Sequence, residues 1–505
     1  MSLSKLPVEC LNKILNFLDK ENLYKCLLVN RYYCRITVPL IWRDPFVKHV
    51  SISISCSLIS TLIACLEGDD ILSLIPSTLS FYTKPTLFDY GAFIRKINHD
   101  CFAEHVKTLL EFSGGNSNPN IRVQKFIDAI YQMIIQKSSI LQEFEVNITH
   151  RSCVNLPRAS TFTNYEPGFK NLKSLTIFNL DLIIDEARLQ NTTEFLNIIS
   201  QNCNCIDNFE LWIKSFNSAF ANQYLDIIKT QPLKKLLIYL DNPGNVPFNL
   251  GLEHRSETLK ELTLDSIDFQ QFDLSFISKL ECLENLEFLY CKGFSHCKDL
   301  SRTKLRLKEF KLWYCSTGMF MGEIIKYFCS ASLLKLTLSN VNPRAARAVK
   351  EICPNINFLC IRFHSRIFTD SIIPLICELS SLRVLNVGSN FGIDMSPLVK
   401  NLADHLVFVE YLYFDFNVDL QSFIYFTNNC KAVLKKWIIT LDNSSSSKEY
   451  LLYVNKFQKV HNSLKAFGIK KYGYSLMNEE TEVIDILKDQ GIDLIASDEM
   501  DFLFH

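Results

Sequence analysis

The sequence predicts an α/β protein in which a short three-helix unit precedes a long array of strand–helix repeats. Two observations support this prediction. A triplet of large apolar residues at positions i, i+3 and i+5 occurs twelve times between residues 172 and 469, and residues 6–42 carry three short amphipathic helical patterns. The chain has 505 residues, which is too many for one ordinary hydrophobic core, so several domains or a repeat array is expected.

The first element is a helix that begins near Pro7, because a proline in the first helical turn loses no hydrogen bond. Its apolar stripe recurs at helical spacing, and Asn22 is expected to cap the second helix. The apolar positions of the three helices are Leu11, Ile14, Leu15 and Leu18, then Leu23, Cys26 and Leu27, then Tyr33, Ile36 and Leu40. Periodicity alone indicates only a small helical core, which a plain helical cap would also show.

The order of residues in this segment resembles the F-box family over about forty residues. The resemblance implies that the segment binds a Skp-type adaptor, which bridges to a cullin. One departure is Tyr33, where the family often carries tryptophan, so weaker but intact packing is expected there. The residues that the resemblance assigns to adaptor binding are Leu6, Pro7, Glu9, Ile14, Leu15, Leu18, Leu23, Cys26, Val29, Asn30, Leu40 and Trp42.

The twelve apolar triplets recur with a mean period of about 26.5 residues, which is within the range of leucine-rich repeats. Each triplet is expected to form one strand, and stacked repeats would form a horseshoe with parallel strands on the concave face and helices on the convex face. Weaker candidate copies lie at Leu141/Phe144/Val146 and near Val106/Leu109. The triplets begin at Leu172, Ile206, Leu233, Leu259, Leu283, Leu307, Leu333, Ile356, Leu382, Val409, Leu434 and Leu464.

The segments between the triplets carry helical patterns. One apolar stripe contains Ala345, Ala348, Val349 and Ile352, another contains Met321, Ile324, Ile325 and Phe328, and residues 479–489 are expected to form a final capping helix. Asparagine or cysteine is expected three residues after each triplet. Asparagine there can hydrogen-bond to the backbone of the loop inside the stack, and cysteine can pack there because it is small. The residues at this position are Cys291, Cys315, Asn390 and Asn417.

The stretch from Ile367 to Asp370, followed by Leu375, Leu379 and Leu382, resembles the cysteine-containing repeat subclass that is common in F-box proteins, including fungal-like F-box receptors. The expected domains are 1–46 for the F-box, 47–140 for a helical linker that leads into the array, and 141–505 for the repeat solenoid with its capping helix. Loops are expected at 113–119, 158–169 and 443–447.

Composition excludes several classes of function. The net charge is −1, so no global basic field attracts nucleic acid or an acidic membrane surface. No signal peptide or membrane span is expected. The 18 cysteines are scattered without a Cys-x-x-Cys pair, and the cluster of Cys291, His296 and Cys297 lacks a second pair at zinc-finger spacing. Reduced thiols in a cytoplasmic or nuclear protein are therefore expected, with no metal and no cofactor.

Nucleotide-binding, zinc-protease and serine-hydrolase motifs are absent from the sequence. His99 is followed by Asp100 and His296 by Cys297, but side chains of adjacent residues diverge in direction. No catalytic residue is therefore expected, and any catalysis belongs to partners.

The residue after the last apolar position of each triplet is expected to face the concave side. In the first half of the array this position carries Phe178, Trp212, Tyr239 and Trp313, and aromatic residues are frequent in binding hot spots. These four residues are therefore candidates for holding a target protein. The alternative is that they cover neighbouring repeats or meet the segment that follows the F-box.

The resemblance implies that the chain is the substrate-recognition subunit of a Skp–cullin–F-box ubiquitin ligase and directs an unknown target to ubiquitin-dependent degradation. Two alternatives remain open. One is a non-catalytic interaction scaffold without a role in ubiquitylation. The other is an enzyme carried on the repeat surface, which the missing motifs disfavour.

Overall fold

The computed structural model describes most of the chain. The described residues are 6–48, 50–66, 86–112, 119–138, 141–148, 155–163, 168–179, 186–215, 218–242, 252–271, 274–295, 305–364, 369–389, 394–442, 445–471 and 481–495. The chain divides into two compact units, Met1–Leu259 and Lys260–His505.

The first unit opens with three short helices, α1 (Val8–Leu15), α2 (Lys20–Leu27) and α3 (Arg31–Ile41). Asp19 caps α2, because its side chain accepts a hydrogen bond from the backbone N–H of Asn22 at 2.7 Å. The prediction that Asn22 is the cap is therefore wrong by one turn. Asn30 caps α3 in the same way, through the N–H of Tyr33 at 2.9 Å.

Five parallel strands follow within the first unit, and they pair in chain order. The strands are β1 (Lys96–Asn98), β2 (Glu143–Asn147), β3 (Ser174–Asn179), β4 (Asn208–Ser215) and β5 (Lys235–Asn242). The helices are α4 (Ile52–Ile63), α5 (His99–Phe112), α6 (Pro119–Lys137), α7 (Ala159–Thr163), α8 (Glu186–Asn202) and α9 (Ser218–Thr230).

The second unit contains ten described strands, which are also parallel and paired in chain order. The strands are β6 (Glu261–Asp265), β7 (Asn285–Leu289), β8 (Glu309–Trp313), β9 (Lys335–Ser339), β10 (Phe358–Phe363), β11 (Val384–Ser389), β12 (Tyr411–Asn417), β13 (Lys436–Leu441), β14 (Ala466–Lys471) and β15 (Asp493–Ile495). The helices are α10 (Met321–Phe328), α11 (Pro343–Ile352), α12 (Thr369–Cys377), α13 (Ser396–His405), α14 (Leu420–Asn429), α15 (Ser447–His461) and α16 (Thr481–Asp489).

The last two residues of each of the twelve apolar triplets lie on a strand, from β3 to β14, and the first residue lies just before that strand. Their side chains are buried between the strands and the helices; Leu336 and Leu338 of β9, for example, are 0% and 1% exposed. Aromatic residues join the two layers, as where Trp437 of β13 stacks on Phe423 of α14 with ring centroids 4.9 Å apart. A strand–helix repeat of this kind buries its apolar face only against its neighbours, which makes each unit a stack.

Cys291 and Cys315, which follow the triplets of β7 and β8, hydrogen-bond to backbone carbonyls inside the stack. Cys291 is fully buried and its thiol donates to the carbonyl of Leu264 at 3.2 Å, while Cys315 donates to Phe288 at 3.3 Å. Burial raises the pKa of the Cys291 thiol well above its usual value, so this thiol is protonated at neutral pH.

Several expectations about the flanking segments need correction. Val106 and Leu109 lie within α5 and form no strand, whereas the weak candidate at 141–146 is β2. Part of the expected loop at 158–169 is helix α7, and Ser447 begins α15. Strand β1 lies inside the segment expected to be a linker. Residues 113–118, 443–444 and 367–368, with Asn390, His296 and Cys297, lie outside the described residues.

One backbone pattern repeats along the edge of each sheet where the strands begin. The carbonyl of the residue before a strand accepts two N–H groups of the next repeat, as Glu284 does from Lys308 at 2.7 Å and Glu309 at 3.1 Å. We call the residues whose carbonyls accept these bonds the edge row. In the first unit the row begins at Arg43, directly after α3, because its carbonyl accepts from Arg95 at 2.9 Å and Lys96 at 3.0 Å. Arg43, at the end of the three-helix unit, therefore bonds to the start of β1 through the same two backbone hydrogen bonds that connect successive repeats.

Candidate functional site

The three-helix unit has a small core of its own. Leu15, Leu23 and Ile41 are buried at 3%, 6% and 7% exposure, with half-buried apolar residues of all three helices around them. Trp42 packs on Tyr90 with ring centroids 4.5 Å apart, which anchors the end of α3 to the segment that precedes β1.

Outside this core, large apolar side chains of the same unit face solvent. Phe17 is 90% exposed, Leu28 is 87%, Val29 is 61% and Tyr24 is 55%. All four lie between residues 17 and 29, in α2 or in the residues that flank it. Exposed apolar residues concentrated in this way indicate a surface for a protein partner.

The predicted adaptor-binding residues divide between surface and core. Pro7, Glu9, Ile14, Val29 and Asn30 are exposed, and Leu6, Leu18, Cys26, Leu40 and Trp42 are half-buried. Leu15 and Leu23 form the core, so these two members of the predicted adaptor-binding set do not lie on an accessible surface. The helical spacing identified the apolar stripe but did not show which of its residues the three helices bury among themselves. Phe17, Tyr24 and Leu28 were missed because they lie off the stripe.

In the first unit, three of the predicted target-binding aromatics form one stacked row. Phe178, Trp212 and Tyr239 are register partners on β3, β4 and β5. The ring centroids are 5.9 Å apart for Phe178 and Trp212, and 5.3 Å apart for Trp212 and Tyr239. All three are half-buried, so they are less exposed than expected. Among the described residues, the buried indole N–H of Trp212 has no hydrogen-bond partner.

The fourth predicted aromatic, Trp313, belongs to a different cluster in the second unit. The guanidinium carbon of Arg362 lies 5.5 Å from the centre of the Trp313 ring, and the same guanidinium forms an ion pair with Asp415. Tyr413 also donates to Asp415, at 3.2 Å. We call Trp313, Arg362 and Asp415 the arginine cluster.

Small residues allow Arg362 to reach both partners. Arg362, Gly388 and Asp415 are register partners on β10, β11 and β12, and Ser339 lies opposite Arg362 on β9. A Cβ atom at Gly388 would lie 3.3 Å from three atoms of the Arg362 side chain. The glycine therefore leaves the space through which the guanidinium crosses one strand to reach Asp415.

Next to this cluster, two tyrosines occupy a backbone conformation that bulky residues rarely adopt. Tyr290 and Tyr314 both have φ of 52°, and they directly follow β7 and β8. Ser266 and Asn340 have φ of 60° and 59° at the same place after β6 and β9, so the turn itself requires this conformation. The two tyrosine rings stack with centroids 5.5 Å apart and planes 3° apart, and Tyr290 is 57% exposed.

Sequence reasoning did not single out this pair, although both tyrosines stand two residues after the last apolar position of a triplet. A tyrosine in the left-handed region costs about 1–3 kcal/mol, and such strain is concentrated at functional positions. Tyr314 also packs edge-on against His364, with ring centroids 5.3 Å apart. Burial, and secondarily the charge of Arg362, lowers the pKa of His364, so this ring is neutral at pH 7.

The suspected pair of His99 and Asp100 does not converge on one point. His99 is buried and bonds to the hydroxyl of Tyr131 at 3.0 Å, whereas Asp100 accepts from the N–H of Asn147 at 2.9 Å. Burial lowers the pKa of His99 to about 4 and raises the pKa of Asp100 to about 6. The two groups have separate partners, as the divergence of adjacent side chains predicts.

Within the described ranges, no three histidine, cysteine or acidic side chains come together as metal ligands would. In the same part of the chain, no helix combines the length and apolar character that crossing a membrane requires.

The chain is similar to one protein-family model and to solved structures. The model of the F-box-like family matches residues 3–48. The search of curated proteins finds no match to this chain. Among solved structures, a leucine-rich-repeat protein of Leptospira interrogans is similar at 14% sequence identity with a TM-score of 0.30, over 72% of this chain and 91% of that chain. The family match places an F-box-like domain at the N-terminus. The parallel strands and the helices that follow it are seen directly in the structure.

Proposed function

We propose that this chain is the substrate-recognition subunit of a Skp–cullin–F-box ubiquitin ligase. In this proposal the F-box-like domain binds a Skp-type adaptor, the adaptor bridges to a cullin, and the repeats hold a target protein for ubiquitin-dependent degradation. The chain itself contributes no catalytic group. We place this activity in the cytoplasm or the nucleus.

The observation that carries the proposal is the exposed apolar surface of the F-box-like domain. Phe17 and Leu28 are nearly fully exposed, although Leu15, Leu23 and Ile41 of the same domain form a buried core. Aromatic and aliphatic side chains that remain exposed in the free protein are the usual anchors of a protein interface, and each commonly contributes about 2 kcal/mol or more to binding. A structural cap for the repeats would have no need to expose them.

Co-purification tests adaptor binding. The double variant Phe17→Glu with Leu28→Glu should lose the adaptor, because two charges would be desolvated at the interface. The fold should be retained, since neither side chain is packed. Phe112→Glu is the matched control, because Phe112 is 77% exposed on α5, outside the F-box-like domain. Full retention of the adaptor by the double variant would contradict this assignment.

Co-purification of a cullin with the chain distinguishes a ligase receptor from a scaffold without a role in ubiquitylation. If the chain is a receptor, the cullin should co-purify with the wild-type chain and be lost together with the adaptor in the Phe17/Leu28 variant. Proteins that bind the repeats should also become longer-lived when that variant replaces the wild type. Adaptor binding without a cullin, and without any change in the lifetime of bound proteins, would favour the scaffold.

For target recognition, we propose that the stacked row of the first unit and the arginine cluster of the second each contribute contacts. The stacked tyrosines Tyr290 and Tyr314 are proposed as further contacts, because Tyr290 is exposed and both lie next to the arginine cluster in a backbone conformation that bulky residues rarely adopt. Replacing Trp212, Tyr239 and Trp313 together by alanine should remove target proteins from the interactome while the adaptor stays bound. If the variant keeps every partner, these aromatics are structural.

A further inference from the structure

A cavity of about 420 Å³ lies where the F-box-like domain meets the first strand of the repeats. One wall is apolar and belongs to α1 and α3. Three arginines and two asparagines complete the lining, and none of the lining residues is acidic. The lining residues are Val8, Asn12, Asn16, Arg35, Ile36, Pro39, Leu40, Arg43 and Arg95.

The backbone holds two of the three arginines side by side. Arg43 and Arg95 are consecutive members of the edge row, joined by the bond from the N–H of Arg95 to the carbonyl of Arg43 at 2.9 Å. Their side chains therefore start from adjacent positions on the same edge of the sheet. Arg35 reaches the same cavity from α3.

At two other places in the edge row, neighbours of opposite charge form ion pairs. Lys308 lies 2.8 Å from Glu284, and Lys435 lies 2.6 Å from Glu410. At Arg43 and Arg95 the neighbours instead carry the same charge. Within the described part of the chain, no ion pair joins Arg35, Arg43 or Arg95 to a carboxylate. Three convergent cations without a counter-charge repel one another, and an anion between them would remove this repulsion.

We propose that this cavity binds a small organic phosphate. Guanidinium groups match the geometry of phosphate oxygens and bind them through paired hydrogen bonds. The volume is in the range of small-molecule sites and exceeds what a single phosphate fills, so the apolar wall of Val8, Ile36 and Leu40 would hold the organic part of the ligand. The inference goes beyond the proposed function, since it requires neither adaptor nor target.

Such a ligand would contact α1, α3 and the residue before β1 at once. It would therefore fasten the F-box-like domain to the repeats in one orientation. Binding to the folded state alone raises stability by mass action, so the unfolding midpoint of the first unit should rise with ligand concentration.

Calorimetric titration of the full-length chain tests the proposal, with ribose 5-phosphate, ribose and inorganic phosphate as probes at constant ionic strength up to about 10 mM ligand. Ribose 5-phosphate should bind and ribose should not. Arg43→Gln and Arg95→Gln should each weaken binding about tenfold, the loss expected for one charge-assisted hydrogen bond. Arg31→Gln is the matched control, because Arg31 is an exposed arginine at the start of α3 that does not line the cavity.

Circular dichroism confirms that each variant is folded, and Arg35→Gln, at an exposed side chain, replaces any variant that is not. The absence of binding heat with ribose 5-phosphate, or equal affinity in the arginine variants and the wild type, would overturn the proposal. Equal affinity for inorganic phosphate would overturn the role given to the apolar wall. If the arginine variants lose the adaptor while the wild type binds no phosphate, the cavity belongs to the adaptor interface instead.

Discussion

Replacing Leu336 by aspartate should destabilise the second unit severely. Leu336 is 0% exposed on β9, with Phe310 of β8 and Leu359 of β10 as register partners. Truncating a buried leucine to alanine typically costs about 2–5 kcal/mol through lost apolar burial and the cavity left behind. Aspartate adds the cost of a buried charge without a partner, so the total should exceed about 5 kcal/mol.

Leu334→Asp, directly before β9, provides the matched control. Leu334 is 41% exposed two residues earlier in the edge row, and its backbone N–H bonds to the carbonyl of Lys308. A carboxylate there stays in solvent near a lysine, so the change in stability should remain within about 0.5 kcal/mol.

Urea and thermal unfolding followed by circular dichroism measure both variants, and Leu336→Ala provides the intermediate case. Leu336→Ala should lower the unfolding midpoint temperature of the second unit by roughly 5–15 °C, given about 2–4 °C per kcal/mol for a unit of this size. If Leu336→Asp and Leu334→Asp had equal effects, the assignment of these two residues to the inner and outer face would be refuted.

Two further predictions concern the sites themselves. The pKa of Asp100 is raised by burial to about 6, so its charge destabilises the folded state above that pH, and the penalty disappears as the pH falls towards 3.8. Asp100→Asn should therefore stabilise the protein by up to about 3 kcal/mol at pH 7.5 and by nothing near pH 4, as measured by urea unfolding at each pH. A gain independent of pH would contradict this. Gly388→Val should push Arg362 off Asp415 and cost about 1–3 kcal/mol. Asp415→Asn should then cost less in the Gly388→Val background than in the wild type, which a double-mutant cycle measures; additive costs would contradict the contact.

The repeats were predictable because each strand needs the same apolar triplet. The last two residues of all twelve triplets lie on strands, and the helical stripes at 321–328 and 343–352 lie on helices α10 and α11. The short strands β1 and β15 were missed because they have three residues each, too few for the pattern. The cap of α2 was misplaced because Asp19 and Asn22 are both good capping residues, and the choice depends on where the helix begins.

The sites were less predictable for a physical reason. An apolar stripe shows that a helix has a buried face, but it does not show how three short helices divide that face between core and surface. Only the exposed fractions of Phe17 and Leu28 in the structure identify these two residues as candidate partner contacts. The side chain of Arg362 passes over Gly388 to reach Asp415, and these three residues belong to three different repeats. A sequence pattern within one repeat therefore does not predict this ion pair. The left-handed backbone of Tyr290 and Tyr314 follows from a turn that elsewhere carries serine or asparagine.

Hydrogen–deuterium exchange with a recombinant Skp-type adaptor tests the central claim most directly. At saturating adaptor, amides between residues 8 and 41 should exchange more slowly, most clearly near Phe17 and Leu28, because their apolar surface becomes covered. Amides of β9 and β10 should be unaffected, since the repeats are left for the target. Unchanged exchange in the F-box-like domain at saturation, or protection confined to the repeat strands, would contradict the account.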